Sequence, residues 1–179
     1  MDESVNPRAF DFAARARLVY GDGSLARLGE LARELGSRVL LVTDTGIVRA
    51  GHVQRAVGIL EAAGLAVRVY DGVRENPTTE DVDACLAFAR GDAPDLPDLF
   101  CALGGGSSLD TAKGANFLLT NGGKMEDYWG IGKASRPLLP LIAVPTTAGT
   151  GSEAQSFALI SRADDHRKMA CGDPNAAPA

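Results

Sequence analysis

Residues 99–116, LFCALGGGSSLDTAKGAN, decide how the rest of the chain reads. An apolar run over 99–103 stops at Gly104, Gly105 and Gly106. Ser107 and Ser108 follow, and then a segment with helical character. The order is strand, glycine turn, helix N-terminus. Glycine lets the backbone turn tightly and lets a ligand come close to it. The unpaired N–H groups and partial positive charge of a helix's first turn suit a phosphate. Ser107 and Ser108 can cap that helix and also donate hydroxyls to the same anion. The expectation is a nucleotide or another phosphorylated ligand. Two common phosphate motifs do not fit. Lys113 precedes Gly114 with no hydroxyl residue after the pair, so this is not a Walker A loop. Leu109 stands where the dinucleotide fingerprint G-x-G-x-x-G needs its third glycine. Alone, such a turn also serves as a plain tight connection.

A second stretch, LLPLIAVPTTAGTGSE over 138–153, adds weight to the ligand reading. Its apolar run ends at Pro145, and a loop of hydroxyls and small residues follows: Thr146, Thr147, Ala148, Gly149, Thr150, Gly151, Ser152. Open α/β sheets place their ligands at the carboxyl ends of strands. Two such loops, each after a buried-looking strand, are better explained by a shared cleft than by two flexible connections.

GGGSSLDTAK followed by PLIAVPTTAGTGSE resembles the iron-containing (group III, metal-dependent) alcohol dehydrogenases, whose relatives include glycerol dehydrogenase, lactaldehyde reductase, butanol dehydrogenase and maleylacetate reductase. The resemblance runs from Val19 to Pro174. It implies a dehydroquinate-synthase-like N-terminal domain, that is, an α/β fold with a Rossmann-like parallel sheet flanked by helices. The whole chain, 1–179, is expected to be this one dinucleotide-binding domain.

Composition is compatible. The chain has 179 residues, 45% hydrophobic and 23% charged, with net charge −5. That length suits one domain. The mild acidity argues against a nucleic-acid footprint, which would show clustered Lys and Arg. No apolar run approaches the roughly 20 residues a membrane span needs, and residues 1–21 lack a signal-peptide pattern. Cys85, Cys101 and Cys171 are widely spaced without a CxxC, and read as buried hydrophobes in a reducing compartment. A cytoplasmic location is expected, with neither nucleic acid nor membrane as partner.

Strand and helix patterns alternate, which favours a parallel sheet covered by helices. Strands are predicted over 17–20, 39–42, 66–70, 99–103, 138–144 and 155–161. Helices are predicted over 25–35 after Ser24, 47–63, 80–90 after a Thr79 cap, and 107–120. Residues 91–98 read as a loop.

Asp44 sits just past the second predicted strand. An acid there can accept hydrogen bonds from ribose hydroxyls in a dinucleotide fold and would repel a 2′-phosphate; alternatively it caps the following helix. The resemblance implies that this position contacts the adenosine ribose, so NAD is expected over NADP. Asn76 lies in the turn 76–78, and the family's similar Asn-Pro element implies contact with the dinucleotide. The resemblance likewise implies that Asp110 faces the nicotinamide end, that Thr146, Thr147 and Thr150 contact cofactor, and that Lys168 lies near the nicotinamide ribose. Gly104, Gly105, Gly106, Ser107 and Ser108 complete the expected cofactor site. Asp110 and Lys113 have the spacing to pair on one helix face, and Lys113 is left outside the cofactor set. Glu153 can support its loop.

Family catalysis implies a divalent metal, iron or zinc, held by one Asp and three His in a helical domain. This chain has only two histidines, His52 and His166, and neither matches a ligand position. It is therefore expected to be the cofactor half, without the metal domain and inactive alone. The intact enzyme would interconvert a small alcohol and an aldehyde or ketone. Such a half is expected to expose an apolar face and to associate through it, for instance as a homodimer. The alternatives are a non-catalytic nucleotide-binding module, and a member of the wider superfamily such as a glycerol-dehydrogenase-like, maleylacetate-reductase-like or dehydroquinate-synthase-like protein.

Overall fold

The main sheet is built from four short apolar runs: β1 (Arg38–Val42), β2 (Ala66–Tyr70), β3 (Leu99–Gly104) and β5 (Leu141–Pro145), in the order β2-β1-β3-β5. All pairs are parallel. The protein is described by a computed structural model over residues 16–91 and 95–179. Residues 1–15 and 92–94, read above for a signal pattern and as part of a loop, lie outside the described residues. β3 is buried at every position, because helices cover both faces of a parallel sheet. That is why it reads as a continuous apolar run instead of an alternating one. The register pairs Val42 with Tyr70 and with Ala102, and Gly104 with Pro145, so four strand C-termini finish at one edge.

Successive side chains of a strand point to opposite faces, and the core divides accordingly. Val39, Leu41, Leu99 and Cys101 pack with Leu28, Ala32, Val53 and Leu60 from α1 (Leu28–Arg33) and α3 (His52–Ala62). Leu40, Val42, Phe100 and Ala102 pack instead with Cys85, Ala89, Leu109 and Ala112 from α4 (Thr79–Arg90) and α5 (Gly106–Asn121). A second sheet, β4 (Gly130–Ile131), β6 (Phe157–Ser161) and β7 (Lys168–Gly172) in the order β4-β7-β6, covers the far side of α5. Its Ala158, Ile160, Met169 and Cys171 meet Val82, Phe117 and Leu118. Held between two sheets, α5 is buried at every residue from 108 to 118.

Several local expectations change. Residues 17–20 form no strand, and Leu18 and Tyr20 are 82% and 93% exposed without a neighbouring strand. The predicted helix over 47–63 is two helices, α2 (Thr45–Arg49) and α3, because Gly51 takes a left-handed φ of 80°. Ser24 opens a short 3-10 turn without a side-chain cap. The predicted strand over 155–161 starts at Phe157. β7 (Lys168–Gly172) was not among the predicted strands; its Met169 and Cys171 point inward and are buried. Tyr128 is core, stacked near Phe117 and bonded to the Gly122 carbonyl at 2.7 Å. Trp129 is half-exposed beneath Arg167. The three cysteines are free and buried. Burial pushes each thiol up to about 12. A cavity of about 900 Å³ lies beside β5, lined by Leu25, Leu28, Leu31, Val144 and Phe157 among others. No helix among the described residues is long and apolar enough to cross a membrane.

Thr78, not Thr79, caps α4. The Asp81 carboxylate accepts from the Thr78 N–H at 2.7 Å, the Thr78 hydroxyl at 2.9 Å and Arg74 Nε at 2.5 Å. Burial pushes Asp81 up, but the Thr78 N–H, Arg74 and the Thr78 hydroxyl outweigh it and hold the group below its ordinary 3.8. A depressed carboxylate stabilises the fold above its ordinary range, and that contribution is lost as pH falls through and below it. Asp81→Asn should therefore cost about 1 kcal/mol at neutral pH and flatten the fall of Tm between about pH 5 and pH 2. Parallel acid slopes for variant and wild type would remove Asp81 from the acid response.

Candidate functional site

The chain leaves β1 for β2 on one side, and then crosses to β3 on the other. A crevice opens outside the strand C-termini at such a reversal, and open α/β sheets bind ligands there. Here its floor is the turn from β3 into α5. Gly104 has φ 154°, a conformation that side-chain-bearing residues rarely adopt. A Cβ on Gly104 would lie 2.8 Å from Ser108 Cβ. Gly105, the N-cap of α5, is extended; a Cβ there would lie 3.4 Å from the Thr147 side chain. On Gly106 it would lie 3.0 Å from Thr150. The Thr146 N–H donates to the Gly104 carbonyl at 2.9 Å. The hydroxyl loop thus comes so close to the glycine turn that a side chain on the turn would press against it. The first helical bond runs from Ser108 N to Gly105 O at 3.0 Å, so the N–H groups of Gly106 and Ser107 precede it. Backbone N–H groups at a helix N-terminus, beside neutral hydroxyls, are chemistry for a phosphate oxygen.

The serines do not cap the helix, because α5 starts earlier than predicted and they lie inside its first turn. Ser107 Oγ accepts from the Asn76 N–H at 3.3 Å. Ser108, 1% exposed, donates to Asp44 Oδ2 at 3.4 Å. Asp44 does cap α2: Oδ1 accepts from Gly46 N at 2.8 Å and Ile47 N at 3.1 Å. One oxygen therefore serves the helix while the other faces the glycine turn.

Asn76 is exposed with φ 53°, the left-handed region that Asn tolerates. Ser161 donates its N–H to the Pro77 carbonyl at 3.0 Å, which docks the β6–β7 hairpin on the 76–78 turn. Lys168, paired with Ser161 in register and exposed, is carried toward the same edge. Thr146, Thr147 and Thr150 are all exposed. Asp110 lies beyond the first turn of α5, so the helix dipole gains little from it. Its side chain, 11% exposed, accepts from the Ser152 hydroxyl. Burial pushes Asp110 up, against the pull of Ser152, Lys113, the Leu159 N–H and Lys168.

Lys113, 0% exposed, belongs to this site although its sequence position did not suggest it. Its Nζ donates to Ser152 O at 2.6 Å, Gln155 O at 2.9 Å, Phe157 O at 3.0 Å and Ser152 Oγ at 3.0 Å. Asp110 lies 3.9 Å away, the pairing their spacing predicts. A lysine in a helix usually faces water. Nothing in the sequence signals the burial, because Asp110 and Asn116, at helical spacing from it, read as the polar face of a solvent-facing helix.

Among the described residues no three His, Cys, Asp or Glu side chains come together as a cage for a metal ion. His52 opens α3 and His166 sits in the β6–β7 turn, both exposed. An Asp and three His donors cannot be assembled from this chain.

A model of iron-containing alcohol dehydrogenases matches residues 15–179. Alcohol dehydrogenase 4 of Schizosaccharomyces pombe is 41% identical over 161 residues, which cover 89% of this chain and 37% of that protein. Lactaldehyde reductase of Escherichia coli K12 is 33% identical over 162 residues, 89% of this chain and 42% of that one. The chain therefore spans about two fifths of these relatives' length. Among solved structures, a 1,3-propanediol oxidoreductase superposes with a TM-score of 0.87 at 32% identity, over 96% of this chain and 44% of the other. A sulfoacetaldehyde reductase from Bifidobacterium kashiwanohense, in complex with NAD+, superposes with a TM-score of 0.78 at 26% identity, over 96% of this chain and 45% of the other.

Proposed function

Since the chain belongs to the iron-containing alcohol dehydrogenase family, we propose that it is the NAD-binding half of a cytoplasmic oxidoreductase that interconverts a small alcohol and an aldehyde or ketone. The observation that carries this reading is the close approach of the hydroxyl loop, through Thr147 and Thr150, to the side-chain-free turn Gly105–Gly106 at the N-terminus of α5, at the β1–β3 crevice. NAD bound there supplies a hydride acceptor or donor at its nicotinamide C4. The α5 N-terminus, with Gly104, Gly105, Gly106, Ser107 and Ser108, receives the pyrophosphate. Thr146, Thr147 and Thr150 close over it with neutral hydroxyls. Asp44, through Oδ2, accepts from the adenosine ribose, and Asn76 borders the same end. Asp110 and Lys168 serve the nicotinamide end. No donor set for a metal ion lies among this chain's described residues.

The test is a calorimetric titration with NADH and NADPH. Wild type should bind NADH more tightly, by about tenfold or more, because a 2′-phosphate would face the Asp44 carboxylate. Asp44→Asn should keep the cap on α2, since Asn caps as well as Asp, while narrowing that ratio. A preference for NADPH in the wild type would sink the assignment of Asp44, and failure to bind either nucleotide would sink the assignment of the cleft.

A further inference from the structure

We propose that Lys113 is a positioning residue: from inside α5 it fastens the 152–157 segment and thereby sets the hydroxyl loop 146–150 at its distance from the glycine turn. The proposal rests on the reading of that cleft as an NAD site. The loop is exposed from Thr146 to Thr150, and at its near end the Thr146 N–H is bonded to Gly104. Its far end is tied internally by Ser152 N to Thr150 Oγ1 at 3.4 Å and Gln155 Nε2 to Thr150 O at 3.0 Å. Everything beyond is gathered by one ammonium, which meets the carbonyls of Ser152, Gln155 and Phe157 and the Ser152 hydroxyl, all within 3.0 Å. An ammonium has three N–H donors and no acceptor, so the site is shaped for the charged form. The same helix that presents its N-terminus to the cleft therefore also holds the opposite wall.

Groups facing Nζ come from two elements. Asp110 of α5 lies 3.9 Å away and also accepts from Ser152 Oγ. Glu153 of the loop acts on Lys113 through its charge, and its Oε2 is buried with no hydrogen-bond partner among the described residues. Lys168 of β7 acts on Asp110 in turn. Burial pushes Lys113 down to about 8 from 10.5, against Asp110 and Glu153. Between those two values the unfolded chain binds more protons, so this group's contribution to stability rises with pH. The neutral amine offers one N–H fewer and turns a lone pair on the carbonyls, so the loop's fastening weakens over the same range. Stability and cofactor affinity thus respond to Lys113 with opposite sign, which a merely structural lysine would not produce.

The experiment titrates NADH into the 179-residue chain at pH values from about 7 to 9.5, for wild type, Lys113→Met and Ser152→Ala. It also measures amide exchange over 146–157 without nucleotide. Wild-type affinity should fall with a midpoint near 8. Lys113→Met should bind about tenfold more weakly and with no such midpoint. Exchange over 146–157 should quicken about tenfold in that variant, with β1 and β3 unchanged. If Lys113→Met does not fold, the wild-type pH series and Ser152→Ala, with a smaller shift in the same direction, carry the test. A flat wild-type profile, or equal exchange over 146–157 in all three proteins, would overturn the proposal. If wild type binds no NADH, the cofactor reading fails by itself, and the exchange comparison still decides whether Lys113 holds the loop.

Discussion

Gly105→Val should lose NADH binding by about a hundredfold or more while keeping its fold. Gly105 is extended, with φ −80° and ψ −174°, which a β-branched residue adopts without strain. Its added Cβ would rest 3.4 Å from the Thr147 methyl and hydroxyl, an ordinary contact. The valine side chain would stand at the N-terminus of α5, beside the N–H groups of Gly106 and Ser107 that a phosphate would meet, and would shield those donors from the ligand. Gly105 is partly exposed, so no core contact is lost. Calorimetry with NADH, alongside a thermal melt, separates the two effects. Retained affinity at an unchanged Tm would mean that the nucleotide, if it binds, avoids this turn.

The sheet was legible because its chemistry is local. The runs at 39–42 and 99–103 are central strands buried between helices, and burial on both faces leaves a continuous apolar signature; the edge strand at 66–70 is only half-buried and reads by its β-branched residues around Arg68. The glycine turn and hydroxyl loop were legible for a similar reason: both follow strand ends, where parallel pairing aligns them. What escaped depended on long-range partners. β7 is short, and its alternation of Met169 and Cys171 has meaning only against β6 and α5. The break at Gly51 turns on one backbone angle. Ser107 and Ser108 lost their capping role when α5 began at Gly106, a shift within the ordinary spread of helix boundaries.

Lys113 shows the limit most clearly. In sequence it is a helical lysine at pairing distance from Asp110. Its role appears only once the second sheet closes over α5 and brings Ser152, Gln155 and Phe157 to it. α5 joins these facts. Its N-terminus makes the floor of the cleft and its interior anchors the opposite wall. Burial from 108 to 118 turns its polar residues Asp110, Lys113 and Asn116 onto protein partners instead of water, which the sequence pattern does not reveal.

Gly104, one residue before the cleft's most open position, should answer the other way: Gly104→Ala should cost stability first. Its φ of 154° lies where side-chain-bearing residues are strained, by about 1–3 kcal/mol. The new Cβ would also lie 2.8 Å from Ser108 Cβ and 3.3 Å from Asp44 Oδ2. Ser108 cannot retreat, because it is 1% exposed within α5, and overpacking of this kind costs about 1–3 kcal/mol more. Together these come to about 2–6 kcal/mol, against a total of about 5–15 kcal/mol for a domain. At about 2–4 °C per kcal/mol for a chain of this size, Tm should fall by roughly 4–24 °C. Scanning calorimetry of the two variants side by side reads this directly. A Gly104→Ala protein melting within about 2 °C of wild type would mean that the β3–α5 turn yields cheaply, and that the closeness of Asp44, Ser108 and the turn is not what fixes the cleft. A large fall in Tm there, with none in Gly105→Val, would divide the turn into a residue that builds the cleft and a residue that keeps it empty.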